Sequence, residues 1–527
     1  MSEQKQDNSS SSALPIERSA ELLLLVAVFL LAICGLIYEL VAGTISSYLI
    51  GDSVTQFSLV IGLYLSAMGV GSFLSKFVQD RLLARLAWVE LGVGIIGGSL
   101  ALIAMATYSY TEVYTPVLVG LVSAIGILVG LEIPLLVRIL RNLSSLRLTL
   151  SHVLCVDYLG ALAASLAFPF LLLPHLGLVR ACFAMGFVNV LVAGIVVYRF
   201  RAHMGGHLRF LTAACVIGAL ALGVGTGYSD QMVSFLEDRL YQDEVIYAAD
   251  TSYQRVVITR RKHDVRLFLE GHLQFSSVDE YRYHEALVHP ALGSVAQREN
   301  ILILGGGDGL AARQILKYDD VKRIDLVDID EHVTGLFTDH PMLANLNHES
   351  LKDPRVHVHN EDALVYLRET DRLYDVIIID LPDPSTPNLS KLYAKSFYRL
   401  VGKHLALGGA IAVQSTSPFR SREAYWCIAH TMRAGLAGER RPEPLYVHPY
   451  HTHVPTFGQW GFMLVSEHDD IIGNIELTVP TQYLNNGILP GLFQFPDDMA
   501  ELETPISRLN DPVICRLYRK GYHKYLE

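Results

Sequence analysis

Two patterns of apolar positions divide the 527-residue chain. Up to about Ser229 the apolar residues run on almost without interruption, dominated by Leu, Val, Ala, Gly and Ile. Seven runs are predicted as helices, near 20–42, 54–75, 86–108, 115–137, 150–173, 178–198 and 208–227. Each has about 20 residues, the length a helix needs to cross ~30 Å of hydrocarbon. A soluble core cannot easily supply so many in succession, so residues 20–229 are expected to form a transmembrane helical domain. The polar, Ser-rich stretch over 1–19 predicts a disordered tail. No cleavable signal peptide is expected, since the first apolar run is too long and lacks a small-residue cleavage site.

From Tyr241 onward the runs shorten and polar positions intervene. Residues 254–276 read as a small β-hairpin region punctuated by Gly271. Residues 279–296 read as a helix, and Ile301–Leu304 as a buried strand running into Gly305-Gly306-Gly307-Asp308-Gly309 and a helix over 310–317. Further strands are predicted at Arg323–Val327, ending in Asp328, at 355–359, leading to Glu361 and Asp362, and at 374–379, leading to Asp380. Alternating strands and helices give a Rossmann-like α/β domain with a parallel sheet, here over 236–527. Three successive strands then end in acids, at the edge where open α/β sheets bind ligands.

The mean hydropathy of +0.32 comes from the first half, and the net charge of −11 largely from the second. An acidic soluble half disfavours nucleic acid as a partner. The six cysteines form no CxxC pair and read as small hydrophobes. Arginine and lysine cluster after the second, fourth and sixth runs (Lys76, Arg81, Arg85; Arg138, Arg141, Arg147; Arg199, Arg201, Arg209), which places the N-terminus in the cytoplasm. Seven full crossings would then leave the second half outside. Glu39, Glu90, Glu132 and Asp157 fall within or near the apolar runs; such acids are either functional or paired with Arg138, Arg141 or polar neighbours. Gly92, Gly94, Gly97 and Gly98 point to close helix packing.

The glycine loop alone is a weak signal, because the third position of GxGxxG is Leu310. Asp308 within it is more informative. A carboxylate there would repel a pyrophosphate, and equally the carboxylate of ordinary S-adenosylmethionine; it suits an adenosyl ligand with a cationic tail. Asp328 stands about 20 residues on, where ribose hydroxyls are usually held. Asp380-Leu-Pro-Asp383-Pro384, with Pro387 beyond, either makes a turn or covers a site and excludes water. His357/His359 and His451/His453 form HxH pairs without an acid or cysteine at ligand spacing, so no metal site is expected.

Taken in order, these segments resemble spermidine synthases, that is, polyamine aminopropyltransferases with a methyltransferase-type fold. The matching pieces are Tyr253-Gln254, Leu269-Glu270-Gly271-His272-Leu273-Gln274, Asp279-Glu280, Tyr283-His284-Glu285, the glycine loop, Asp328-Ile329-Asp330, Glu361-Asp362-Ala363, Asp380 to Pro384, Leu392-Tyr393 and Phe397-Tyr398. The first half resembles the membrane region fused to some bacterial members. The resemblance implies decarboxylated S-adenosylmethionine as co-substrate, no metal or bound cofactor, and a polyamine acceptor such as putrescine. It also implies a cytoplasmic catalytic domain on a cell-membrane anchor, in tension with the crossing count. A homo-oligomer is left open. It assigns Gln254, Asp328, Asp362, Ala363 and Pro387 to the adenosyl group and His284, Asp308, Asp380 and Asp383 to the polyamine. Asp380 is the implied base, with Tyr283 assisting. Three positions depart from the pattern: Leu310 follows the loop, Glu270 replaces Asp, and Phe457 stands where many members carry a substrate-contacting Tyr. Two other readings are an S-adenosylmethionine-dependent methyltransferase and a transporter or sensor that binds polyamines without turnover.

Overall fold

The computed structural model describes residues 18–50, 53–111, 113–140, 146–241, 243–251, 253–437 and 443–523. The expected tail up to residue 17 and Arg141 lie outside them. The chain divides into two compact units, one ending at Asp243 and one starting at Glu244.

The first unit is helical: α1 (Arg18–Ile50), α2 (Ser53–Leu74), α3 (Leu82–Tyr110), α4 (Tyr114–Leu140), α5 (Leu146–Ala167), α6 (Leu173–Arg199) and α7 (Leu208–Tyr241). Among the described residues, six helical stretches are long and apolar enough to cross a membrane. The fifth, Thr149–Arg199, holds two of the predicted runs and passes through a π-helical turn at Phe168–Leu172. Its 51 residues would span ~76 Å as a straight helix, over twice a hydrocarbon core. Instead the backbone leaves helical geometry at Gly177 (φ 67°, ψ 177°), just after Pro169 and Pro174 have removed two backbone donors. The predicted break near 173–178 is thus found, as a bend at Gly177 rather than a polar loop. Small residues set the helix contacts. At Gly130 of α4 a Cβ would lie 2.1 Å from the Met68 carbonyl of α2, and at Gly94 of α3 a Cβ would lie 2.9 Å from the Gly186 carbonyl of α6.

The second unit opens with a four-stranded antiparallel sheet, β1 (Glu244–Asp250), β2 (Arg255–Arg261), β3 (Asp264–Leu269) and β4 (His272–Ser276), larger than the expected hairpin region. Its β3–β4 turn places Glu270 and Gly271 at positive φ (49° and 75°), and Glu270 also accepts from the Arg255 amide at 2.8 Å. Helix α8 (Glu280–Gly293) follows. The main sheet has β5 (Asn300–Gly305), β6 (Arg323–Val327), β7 (Val356–His359), β8 (Tyr374–Asp380), β9 (Leu405–Gln414), β10 (Tyr446–Val454) and β11 (Gly458–Ser466). Its order is β10-β11-β9-β8-β5-β6-β7, with β5 to β9 parallel and β10 and β11 antiparallel. Helices α9 (Leu310–Ile315), α10 (Glu331–Asp339), α11 (Pro341–Leu346), α12 (Ala363–Glu369), α13 (Pro387–Ser390), α14 (Lys395–Lys403), α15 (Arg422–Leu436) and α16 (Val513–His523) complete the unit.

Continuous apolar strands account for this layering. Ile301–Leu304 and Val376–Ile379 are buried on both faces, which only a sheet covered on both sides permits. Each such side chain contributes about 1.5–3 kcal/mol on burial. Strand order reverses between β5 and β8, which places a crevice at their carboxyl ends.

Candidate active site

The crevice is built by a very close approach of two strands. Gly305 pairs with Asp380, and a Cβ on Gly305 would lie 2.0 Å from the Asp380 carbonyl oxygen. Gly305 also has φ 84°, so the position excludes any side chain twice over. At Gly307 a Cβ would meet Asp328 Oδ2 at 2.7 Å. The glycine loop therefore runs between the two carboxylates that end β8 and β6.

Asp328 is held in place by backbone amides: Gly307 N–H donates to Oδ2 and Asp330 N–H to Oδ1, both at 3.0 Å. Asp330 caps α10 and accepts from Gln254 Nε2 at 3.0 Å and Thr251 Oγ1 at 2.8 Å, which ties the first sheet to this corner. Asp362 caps α12, accepting from Leu364 N–H at 2.8 Å, with buried Ala363 next to it. Lys391 Nζ reaches Asp362 at 2.7 Å. That link joins Asp362 to the segment after Pro387, which opens α13 on the exposed side of the loop.

On the other side of the crevice, Tyr283 Oη donates to Asp380 Oδ1 at 2.6 Å. His284 is buried and its Nδ1 lies 2.8 Å from Glu280 Oε2. Arg313 Nη2 donates to both Glu280 oxygens at 2.8 Å, so Glu280 is fixed between an arginine and a histidine. Asp308 accepts from Leu310 N–H at 2.9 Å. Asp383 accepts from Thr416 Oγ1 at 3.2 Å and Gln414 Nε2 at 3.3 Å, and a Tyr518 hydroxyl from α16 also bonds to it.

Burial sets the protonation of these acids. It pushes Asp308 up to about 6, with the charge of Asp380 adding and that of His284 opposing. It pushes Asp328 up to about 6 against two amide hydrogen bonds. Asp383 is pushed to about 6 by burial despite Gln414, Tyr518 and Thr416. Asp380 is raised by burial, with His284 and Tyr283 opposing. For His284 burial disfavours the charged ring, but Glu280, Asp308 and Asp380 outweigh it and raise the imidazole. Asp362 is raised by burial, yet Lys391 and the helix amides bring it below the usual carboxylate range.

Three residues at this site, Gln414, Thr416 and Tyr518, carried no sequence signal of their own. Gln414 donates to the Leu381 carbonyl and lies 2.8 Å from the Tyr393 hydroxyl, which itself donates to the Pro382 carbonyl at 3.0 Å. Thr416 is a β-branched residue at φ 58°, a strained conformation of the kind that collects at functional sites. Tyr518 lies on the last helix, and Arg519 beside it donates to the Ser385 carbonyl at 3.0 Å. Phe457 packs edge-on to Tyr283 (6.3 Å) and tilted against Trp460 (5.0 Å). Two of the HxH histidines make fold contacts: His359 bonds to Asp325 at 2.9 Å, and His451 to Gln459 and the Gln494 carbonyl.

Residues 280–475 match the spermine/spermidine synthase domain. Polyamine aminopropyltransferase 1 of Ralstonia nicotianae is 44% identical over 99% of this chain and 99% of its own. The polyamine aminopropyltransferase of Leptospira interrogans is 43% identical over 96% of this chain and 99% of its own. The chain belongs to the polyamine aminopropyltransferase family. It is accordingly an enzyme of that class, and likeness to these two relatives extends through the helical half. The crystal structure of spermidine synthase with the transition-state analogue AdoDATO covers 48% of this chain and 86% of its own, at 24% identity and a TM-score of 0.44.

Proposed function

We propose that the chain transfers the aminopropyl group of decarboxylated S-adenosylmethionine to putrescine, giving spermidine and 5′-methylthioadenosine. The observation that supports this most is the Tyr283–Asp380 hydrogen bond of 2.6 Å at the mouth of β8, with Asp308, Asp328 and Asp383 around it. The acceptor nitrogen attacks the methylene beside the sulfonium, the C–S bond breaks, and sulfur keeps the electron pair. The sulfonium needs no general acid. The acceptor does need a base, because an aliphatic amine with a pKa of ~10.4 is almost wholly protonated at neutral pH.

Asp380 takes that proton, and Tyr283 holds the carboxylate in orientation. Asp308 and Asp383 counter the charges of the aminopropyl tail and of the far ammonium. His284, fixed by Glu280, balances the acids. On the adenosyl side Asp328 holds the ribose, Asp362 and Ala363 the base, Gln254 braces the Asp328 corner through Asp330, and Pro387 covers the ligand. Donor and acceptor are both cations, so an acid-rich crevice is needed to bring them together. A methyltransferase reading fits less well, since the carboxylate of S-adenosylmethionine would meet these acids.

The helical half, in the same proposal, holds the chain in a cell membrane while catalysis belongs to the second unit. The six long apolar stretches support this, as do outward-facing Leu59, Phe73, Leu162 and Phe170. The test is a product assay of the purified chain with decarboxylated S-adenosylmethionine and a panel of di- and polyamines. Equimolar methylthioadenosine and spermidine from putrescine are expected. Turnover with another amine alone would replace the acceptor, and no methylthioadenosine with any amine would overturn the reaction.

A further inference from the structure

Several helices of the first unit meet at a buried group of hydrogen-bond acceptors. Glu90 on α3, Glu132 on α4 and Asn189 on α6 are 1%, 6% and 0% exposed. Asn189 Nδ2 donates to Glu90 Oε2 at 3.3 Å. The other Glu90 oxygen, Glu132 Oε1 and Asn189 Oδ1 are buried and have no protein partner. The two carboxylates are near enough for their charges to act on each other, and Cys34 of α1 lies within range of both. Tyr38, one turn further along α1, is also buried with an unpartnered hydroxyl, and its ring packs where a Cβ on Gly97 of α3 would lie 2.6 Å away. Arg138, the counter-ion suggested by sequence, instead donates to the carbonyls of Ser75 and Val78.

This inventory has a definite chemistry. Three acceptor atoms lack donors, and two belong to carboxylates. Buried carboxyls escape the desolvation cost of their charge by taking up protons or by pairing with a cation, and a cation that donates several hydrogen bonds would also fill the acceptors. Among the described residues no three His, Cys, Asp or Glu side chains converge as metal ligands. A primary ammonium brings one positive charge and three N–H donors, which matches three unfilled acceptors. We propose that Glu90, Glu132 and Asn189 bind one ammonium end of a polyamine, making a second polyamine site in the helical unit. The choice of a polyamine among ammonium ions rests on the aminopropyltransferase reading.

The test is equilibrium dialysis of the full chain in lipid nanodiscs with radiolabelled spermidine. Two sites per chain are expected. The double variant Glu90→Gln/Glu132→Gln should weaken one of them by about tenfold or more while methylthioadenosine formation is unchanged. Asp383→Ala should weaken only the other. A single site lost in Asp383→Ala, or two sites indifferent to the Glu substitutions, would overturn the proposal. Should the double variant fail to fold, seen as lost turnover, the wild-type chain is treated with dicyclohexylcarbodiimide, which modifies carboxyls in apolar surroundings. Modification of Glu90 or Glu132 slowed about tenfold by saturating spermidine supports the site, and a rate indifferent to spermidine rejects it. If no amine gave methylthioadenosine but the Glu-dependent spermidine site persisted, the catalytic reading would fall and this one would stand.

Discussion

Replacing Asp380 by Asn separates the base from the scaffold. Asn keeps an oxygen that can accept the Tyr283 hydroxyl at the position now held at 2.6 Å, so the crevice should survive. What is lost is the proposed proton acceptor. At pH 7.5 an acceptor amine with a pKa of ~10.4 is free in only about one molecule in 800. An enzyme that must wait for that fraction should lose roughly 10² to 10³ in kcat, within the range ascribed to general bases. The same arithmetic gives a second signature. Between pH 7.5 and 9.5 the free amine rises about a hundredfold, so the Asn variant should recover by about that factor while the wild type changes far less. The assay is methylthioadenosine release at saturating donor, with the Michaelis constant for donor expected to stay within about threefold. A kcat within tenfold of wild type, or a variant rate flat in pH, would refute the base assignment.

Three further outcomes follow from the site. Asp308, Asp328 and Asp383, each pushed to about 6, hold protons in the folded chain that an unfolded carboxyl near 3.8 has released. They favour folding below the unfolded value and lose that contribution as pH rises through about 6. The melting temperature of the wild type relative to an Asp308→Asn/Asp383→Asn variant should therefore fall between pH 5 and 7.5; the opposite trend would contradict the burial argument. Tyr518→Phe removes a donor to Asp383 and should raise the Michaelis constant for the acceptor about tenfold with that for the donor unchanged, measured by initial rates. Glu280→Gln leaves His284 without its carboxylate and should lower the imidazole pKa, read by NMR titration of the ring.

The parts of this fold that sequence reveals are those set by local chemistry. Strand β6 was predicted at Arg323–Val327 and is found there, because a short apolar run ending in Asp328 has few other ways to fold. Asp380 could be placed at a strand end for the same reason. Strand β1 escaped prediction because, as a half-exposed edge strand, it lacks a clean alternation. Gln414, Thr416 and Tyr518 were hidden for a different reason. They reach Asp383 only because β9 lies next to β8 and the last helix returns to the loop, long-range events that no local pattern encodes. The gap expected between the fifth and sixth runs became a bend at Gly177, since two prolines and a glycine can redirect a helix without a polar loop.

If clustered acids select a donor whose tail is purely cationic, the ratio of dissociation constants for S-adenosylmethionine and its decarboxylated form, measured by calorimetry, will differ between wild type and Asp308→Asn. The wild type is expected to prefer the decarboxylated donor by about a hundredfold or more, and the preference to shrink at least tenfold in the variant. Equal affinity for the two donors in the wild type would contradict it.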